Sequence, residues 1–219
     1  MQEENRENIV YSRPVVEFVT VAREYCVFLE NSSEEGRKDF IIKIHRLLPL
    51  LYFKAVMLPL PERMMEEQVE KSVTEEQYNF LHEQLLVKLG KYDAYTDVFD
   101  PQIQFSEAPI GESLAENLTD IYQELKDFIE IYQFGLTELM NDALAECSQS
   151  FENYWGQRMV NAMRAFHNLV YSTEDIDEDE EALEDAEKAF EEKAKKLDTS
   201  NWILTQKQQQ YDEDGEPDA

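Results

Sequence analysis

The stretch Ser113–Tyr132, SLAENLTDIYQELKDFIEIY, carries the clearest helical period in the chain and decides its fold class. Leu114, Leu118, Ile121, Tyr122, Leu125, Phe128, Ile129 and Tyr132 return at steps of three and four, so they share one side of a helix. Ser113 with Glu116 has the spacing of a capping box, which places the helix start there. Downstream, Gly135 separates this helix from a long fifth one, with Leu136, Leu139, Met140, Ala143, Cys147, Phe151, Trp155, Met159, Ala162 and Phe166 on its apolar side. Gly156 stands in its middle, where glycine costs about 0.8–1.0 kcal/mol relative to alanine. That cost predicts a kink or a close crossing by another helix, with Tyr154 and Trp155 at a core junction.

Upstream the same period recurs. Ser12 and Pro14 open a first helix through Val15, Phe18, Ala22, Cys26 and Leu29 to about Asn31. Ser32 and Ser33 restart the chain into a second helix through Phe40, Ile41, Ile44, Leu48 and Leu51 towards Leu58. Pro49 lies inside it and predicts a kink near His45 or two helices meeting there. The apolar surface past the proline reaches most of the way round, as expected for the most buried helix of a bundle. After the polar segment 59–73, Thr74 and Gln77 form a second capping-box pattern. Tyr78, Leu81, Leu85 and Leu89 follow up to a stop at Gly90. No stretch alternates with period two long enough to propose a sheet. The expectation is all-α: a mainly antiparallel bundle of about five core helices over residues 8–172.

Residues 173–219 form an appendage that holds 18 of the chain's 48 Asp and Glu but only 5 of its 20 Lys and Arg. Nearly half of the net charge of −28 therefore lies there. A helix is expected over 180–197, with a thin stripe at Leu183, Ala186, Phe190, Ala194 and Leu197. Trp202, Ile203 and Leu204 then interrupt a hydrophilic run, so Leu183–Leu204 is expected to fold back on the bundle or, failing that, to capture a partner. Acidity on this scale opposes direct contact with nucleic acid or an anionic membrane surface. A basic protein partner, a divalent cation or plain solubility remain compatible with it. Cys26 and Cys147 sit in apolar helical patterns with no metal or disulfide spacing. The N-terminus lacks a signal-peptide pattern, and Leu47–Leu60 is too short to span a bilayer. A soluble cytoplasmic protein is the expectation.

Between the third and fourth helices lies Lys91–Gly111, KYDAYTDVFDPQIQFSEAPIG, which fits neither helical nor strand periodicity and is rich in aspartates and aromatics. A connection this long is usually functional when ordered. Tyr92, Asp93, Tyr95, Asp97 and Asp100 are its candidate partner-binding residues. Arg158, Asn161 and Arg164 join them from a polar ridge on the fifth helix that also carries Asn153, Gln157 and Asn168. A structural reading stands beside this one: aspartates that cap turns, and amides and Arg164 that pin the loop. Asp93, Asp97 and Asp100 also offer oxygens to a hard cation, without the alternation of an EF-hand. His45, His82 and His167 lack the Glu-x-x-His pattern of carboxylate-bridged metal pairs. The stripes Asp120, Glu124, Asp127 and Glu138, Asp142, Glu146 read as solvated helix faces. Neither a nucleophile elbow nor a glycine-rich phosphate loop is present, so no catalytic residue and no cofactor are assigned.

The blocks YDAYTDVFDPQIQFSEAPI, ENLTDIYQELKDFI and SFENYWGQRMVNAMRAFHNL together resemble domain-of-unknown-function family 5063, a group of uncharacterised bacterial proteins. PVVEFVTVAREYCVFLE and LLPLLYFKAVMLP are similar to it as well, so the resemblance covers about Tyr11 to Tyr171. It implies a helical fold and supplies no activity, cofactor or site residue. The leading functional reading is a non-catalytic module that binds a protein, basic in character, through the 91–111 loop and adjacent helices. The alternatives are a carboxylate-based metal-binding protein or metal-dependent enzyme, and an acidic nucleic-acid mimic.

Overall fold

The computed structural model describes residues 9–65, 71–96, 111–173, 176 and 180–194. Its helices are α1 (Arg13–Glu30), α2 (Arg37–Val56), α3 (Glu75–Leu89), α4 (Leu114–Gln133), α5 (Thr137–Ser150), α6 (Gly156–Val170) and α7 (Glu180–Ala194). Two short strands, β1 (Ala94–Thr96) and β2 (Gly111–Ser113), pair antiparallel with Tyr95 opposite Glu112. The result is a helical bundle built around α4, which packs against α1, α3, α5 and α6. Fourteen of the 20 residues of α4 are buried, so it, and not α2, is the central helix.

The expectation for α2 fails for a topological reason. α2 packs chiefly on α1 and α6, and its third side carries Leu50, Phe53, Val56 and Met57, each about half exposed. Hydropathy marks these residues as apolar but does not say which side of the helix has a neighbour. Nor does Pro49 divide the element, because Arg37–Val56 is one helix. Pro49 itself lies on the exposed side of the helix.

The local start signals behave as their chemistry predicts. Thr74 Oγ1 accepts from the Gln77 N–H while Gln77 accepts from the Thr74 N–H, a complete capping box. Ser113 Oγ accepts from the Glu116 N–H at 3.1 Å. Gly135 takes φ 70° between α4 and α5, a conformation that glycine reaches without penalty. Cys26 and Cys147 are free thiols in the core, and burial pushes both pKa values well above the ordinary thiol value.

The long fifth helix contains a π-helical turn, Phe151–Trp155, between α5 and α6. In it the Gly156 N–H donates to the Phe151 carbonyl. A Cβ on Gly156 would lie 2.4 Å from that oxygen and 3.0 Å from the Phe151 ring. Glycine is therefore needed for the turn within its own helix, which corrects the expected crossing by another helix. Trp155 is fully buried, its Nε1 donating to the Cys147 carbonyl at 3.2 Å. Tyr154, one residue earlier and so on a different side of the helix, is 40% exposed and does not belong to the core.

The carboxylate stripes are also not simple wet faces. The described residues between α2 and α3, 57–65 and 71–74, lie outside regular helix, so their N–H groups need acceptors from elsewhere. Met64 and Met65 donate to the two oxygens of fully buried Asp142 at 2.7 and 2.8 Å. Asn141 Nδ2 donates to the Glu62 carbonyl at 2.8 Å. Ser72 and Val73 donate to Asp127 Oδ1 at 2.7 and 2.9 Å.

α7 lies on α3. Leu183 and Phe190 are buried, the Phe190 ring stands 4.9 Å from that of Phe80, and Glu187 pairs with the buried ammonium of Lys88. Leu197 and Trp202–Leu204, where docking was also expected, lie outside the described residues. Among the described residues no helix is long and apolar enough to cross a membrane.

Candidate functional site

The ends of the 91–111 interval are fastened to the bundle by a chain of polar contacts. Asp93 accepts from the Ala115 N–H at 2.7 Å and from Ser113 Oγ at 3.0 Å, and its carbonyl takes the Leu114 N–H at 2.9 Å. It thereby ties the foot of β1 to the first turn of α4, where a carboxylate is favoured by the helix dipole. Tyr95 accepts at its hydroxyl from Asn117 Nδ2 at 2.6 Å, and the Asn117 oxygen accepts from Arg158 at 3.1 Å. Arg158 Nε stands 3.0 Å from Asp120 Oδ2, while Asp120 Oδ1 accepts from the Tyr78 hydroxyl at 2.8 Å. Further along α6, Arg164 donates to the Thr96 carbonyl at 2.8 Å. The hairpin stem is thus bolted to α4 and α6 at the point where the chain leaves for residues 97–110.

Electrostatics follow from that packing. Burial opposes the charge of Arg158, but Asp120, Tyr154 and the nearby glutamates outweigh it and raise its pKa above the ordinary value. Tyr154 is pushed up to about 12 by burial and by its hydrogen bond to Asp120. Tyr78 is raised by burial first and then by the same carboxylate. The Arg158 guanidinium lies over the Tyr154 ring at 4.7 Å, a cation–π contact at the edge of solvent. Tyr78, Asn117, Arg158 and Arg164 each donate to an acceptor across the packing of α3, α4, α6 and the hairpin, so the cluster is a polar clamp.

Of the residues singled out from sequence, Tyr95, Arg158 and Arg164 come together at the stem. Asn161 is half-buried nearby on α6 and accepts from Gln157 at 3.0 Å. Tyr92 is 6% exposed, with the Lys91 ammonium 5.3 Å and the Arg37 guanidinium 5.8 Å from its ring centre, so it plugs the turn after α3. Asp93 is occupied as a cap. Asp97 and Asp100 lie outside the described residues. Among the described residues no group of three or more His, Cys, Asp or Glu is arranged to hold a metal ion. Sequence reasoning missed Tyr78, Asn117, Asp120 and Tyr154. The usable signal was Asn117 and Asp120, polar residues three apart inside the most strongly periodic helix.

A family model described as a domain of unknown function, DUF5063, matches residues 9–172. The chain is similar in structure to protein BF1032 from Bacteroides fragilis, whose crystal structure shares 42% identity and a TM-score of 0.67 over 76% of this chain and 98% of that one. No curated protein matches.

Proposed function

The chain belongs to the DUF5063 family, and we propose that it is a non-catalytic interaction module that grips a protein partner through the 91–111 interval and the adjoining surface of α4 and α6. The observation that carries this reading is the stem: Asp93, Tyr95 and the Thr96 carbonyl are each held by the bundle through Ala115, Asn117 and Arg164. A loop that leaves a scaffold from a fixed stem is a common arrangement for recognition. Tyr154, exposed beside Arg158 at the foot of the stem, adds an aromatic anchor of the kind enriched at binding hot spots. The net charge of −28 favours a basic partner by steering its approach. Two buried free thiols suit a reducing compartment, which supports a cytoplasmic setting.

The test is affinity capture from the native cell with the full chain and with Tyr154→Ala and Arg164→Glu variants shown to be folded. The reading expects one stoichiometric protein that both variants lose. Retention of the same protein by both variants places its contact elsewhere and overturns the assignment.

A further inference from the structure

α2 is a basic helix in an acidic chain. It holds Arg37, Lys38, Lys43, Arg46 and Lys54 against a single acid, Asp39, while the whole chain carries −28. α1 and α6 cover two of its sides. On the open side Lys43, Arg46, Leu50, Phe53 and Met57 recur at steps of three and four, one stripe that is basic towards the start of the helix and apolar towards its end. Leu50 is 46%, Phe53 55% and Met57 54% exposed. Lys43 is engaged by Glu35, but among the described residues no carboxylate pairs with Arg46.

An occupant that fits this stripe is apolar at one end and acidic at the other. The net charge of the chain opposes nucleic acid and anionic membrane surfaces there. Residues 195–219 have the required pattern: Trp202, Ile203 and Leu204, followed by Asp212, Glu213, Asp214, Glu216 and Asp218. They also start from the right end of the bundle. Glu187 pairs with Lys88 and Phe190 meets Phe80, so α7 runs antiparallel to α3 and ends towards the start of α3. Just before that start, Ser72 and Val73 bond Asp127 in the second half of α4. Tyr132 near the end of α4 bonds the Val10 carbonyl ahead of α1, and Lys54 near the end of α2 bonds Glu17 early in α1. The exit of α7 and the apolar half of α2 therefore lie towards the same end.

The length suffices as well. α7 touches α3, α3 touches α1 and α1 touches α2, which is three helix-to-helix steps of about 8–10 Å. The chain from Ala194 to Trp202 reaches about 26–29 Å when extended. From Ile203 to Asp212 it covers with ease the roughly 10–15 Å along α2 from Phe53 to Arg46 and Lys43. A tethered segment acts at an effective concentration on the order of millimolar, so it occupies such a face ahead of free competitors.

We propose that residues 202–218 bind back along the open side of α2, antiparallel to it. Trp202–Leu204 cover Leu50, Phe53 and Met57, and the acidic residues 212–218 meet Arg46 and Lys43. The contact lies on a different helix from the hairpin clamp and stands independently of the interaction-module reading.

The test is paramagnetic NMR on the full chain carrying a nitroxide at Gln208→Cys, since Cys26 and Cys147 are buried and leave the new thiol as the one open to the label. The label should erase amide signals along Arg46–Phe53 of α2. Trp202→Ser and, separately, Phe53→Glu, each shown to be folded, should restore them. Unchanged α2 signals in the labelled chain, erasure centred instead on Tyr11, Phe134 and Leu136, or erasure that survives both variants overturns the proposal. An effect unchanged in Arg46→Glu overturns the place given to residues 212–218. In a mixture of isotope-labelled chain with spin-labelled chain no signal should be lost. Loss of the same α2 signals in that mixture assigns the face to a second copy and overturns docking within the chain.

Discussion

Replacing Gly156 by alanine tests the local architecture by its sign. In an ordinary helix interior the change stabilises by about 0.8–1.0 kcal/mol, because alanine has the better helix propensity. Here the new Cβ would meet the Phe151 carbonyl oxygen at 2.4 Å and the Phe151 ring at 3.0 and 3.1 Å. A comfortable carbon–oxygen contact is roughly 1 Å longer, and the atom in the way is backbone that also accepts the Gly156 N–H. Relief requires the π-helical turn to shift, which would disturb Trp155 behind it. Overpacking of this kind costs about 1–3 kcal/mol. Set against the propensity gain, the expected net runs from near zero to a loss of about 2 kcal/mol. Urea unfolding followed by circular dichroism and by tryptophan fluorescence measures it, with an unchanged slope showing that only stability has moved. A variant more stable by about 1 kcal/mol would refute the reasoning.

Asp142→Asn should cost about 1–3 kcal/mol, since one of the two acceptors for Met64 and Met65 becomes a donor facing an N–H. Hydrogen exchange at Met64 and Met65 should accelerate, and unchanged protection there would count against the pinning role. Burial first, then His167 and Arg46, hold the pKa of His45 below its ordinary 6.5. The unfolded chain therefore takes up this proton before the folded one, and the contribution is a loss of stability as pH falls through 6.5. His45→Gln should flatten that part of the pH–stability curve, and a parallel curve would contradict the assignment. Truncation after Ser172 removes Phe190 from Phe80 and Glu187 from the buried Lys88 ammonium, so the melting temperature should drop although the removed segment is acidic. An identical melting curve would mean that α7 adds nothing to the bundle.

Much of the fold was legible where signals are local. The period of α4, the Thr74 capping box and the break at Gly135 depend on neighbours a few residues away, and each stands where the sequence puts it. What was not legible depends on distant chain. Asp127 and Asp142 look like solvated helix positions until a linker from elsewhere brings N–H groups to them. The apolar face of α2 near Phe53 is set by where α1 and α6 stand. Strands of three residues are too short to show a period of two. At the candidate site the loop and polar ridge pointed to Tyr95, Arg158 and Arg164. Asn117, Asp120 and Tyr78 were hidden because they are interior positions of helices, and only packing turns them towards one another.

Hydrogen–deuterium exchange of the full chain, free and bound to the partner that it captures, tests the interaction reading most directly. New protection is expected in residues 91–113 and in α6 around Arg158 and Arg164. Protection confined to the exposed side of α2 around Leu50 and Phe53, with the hairpin unchanged, would contradict it.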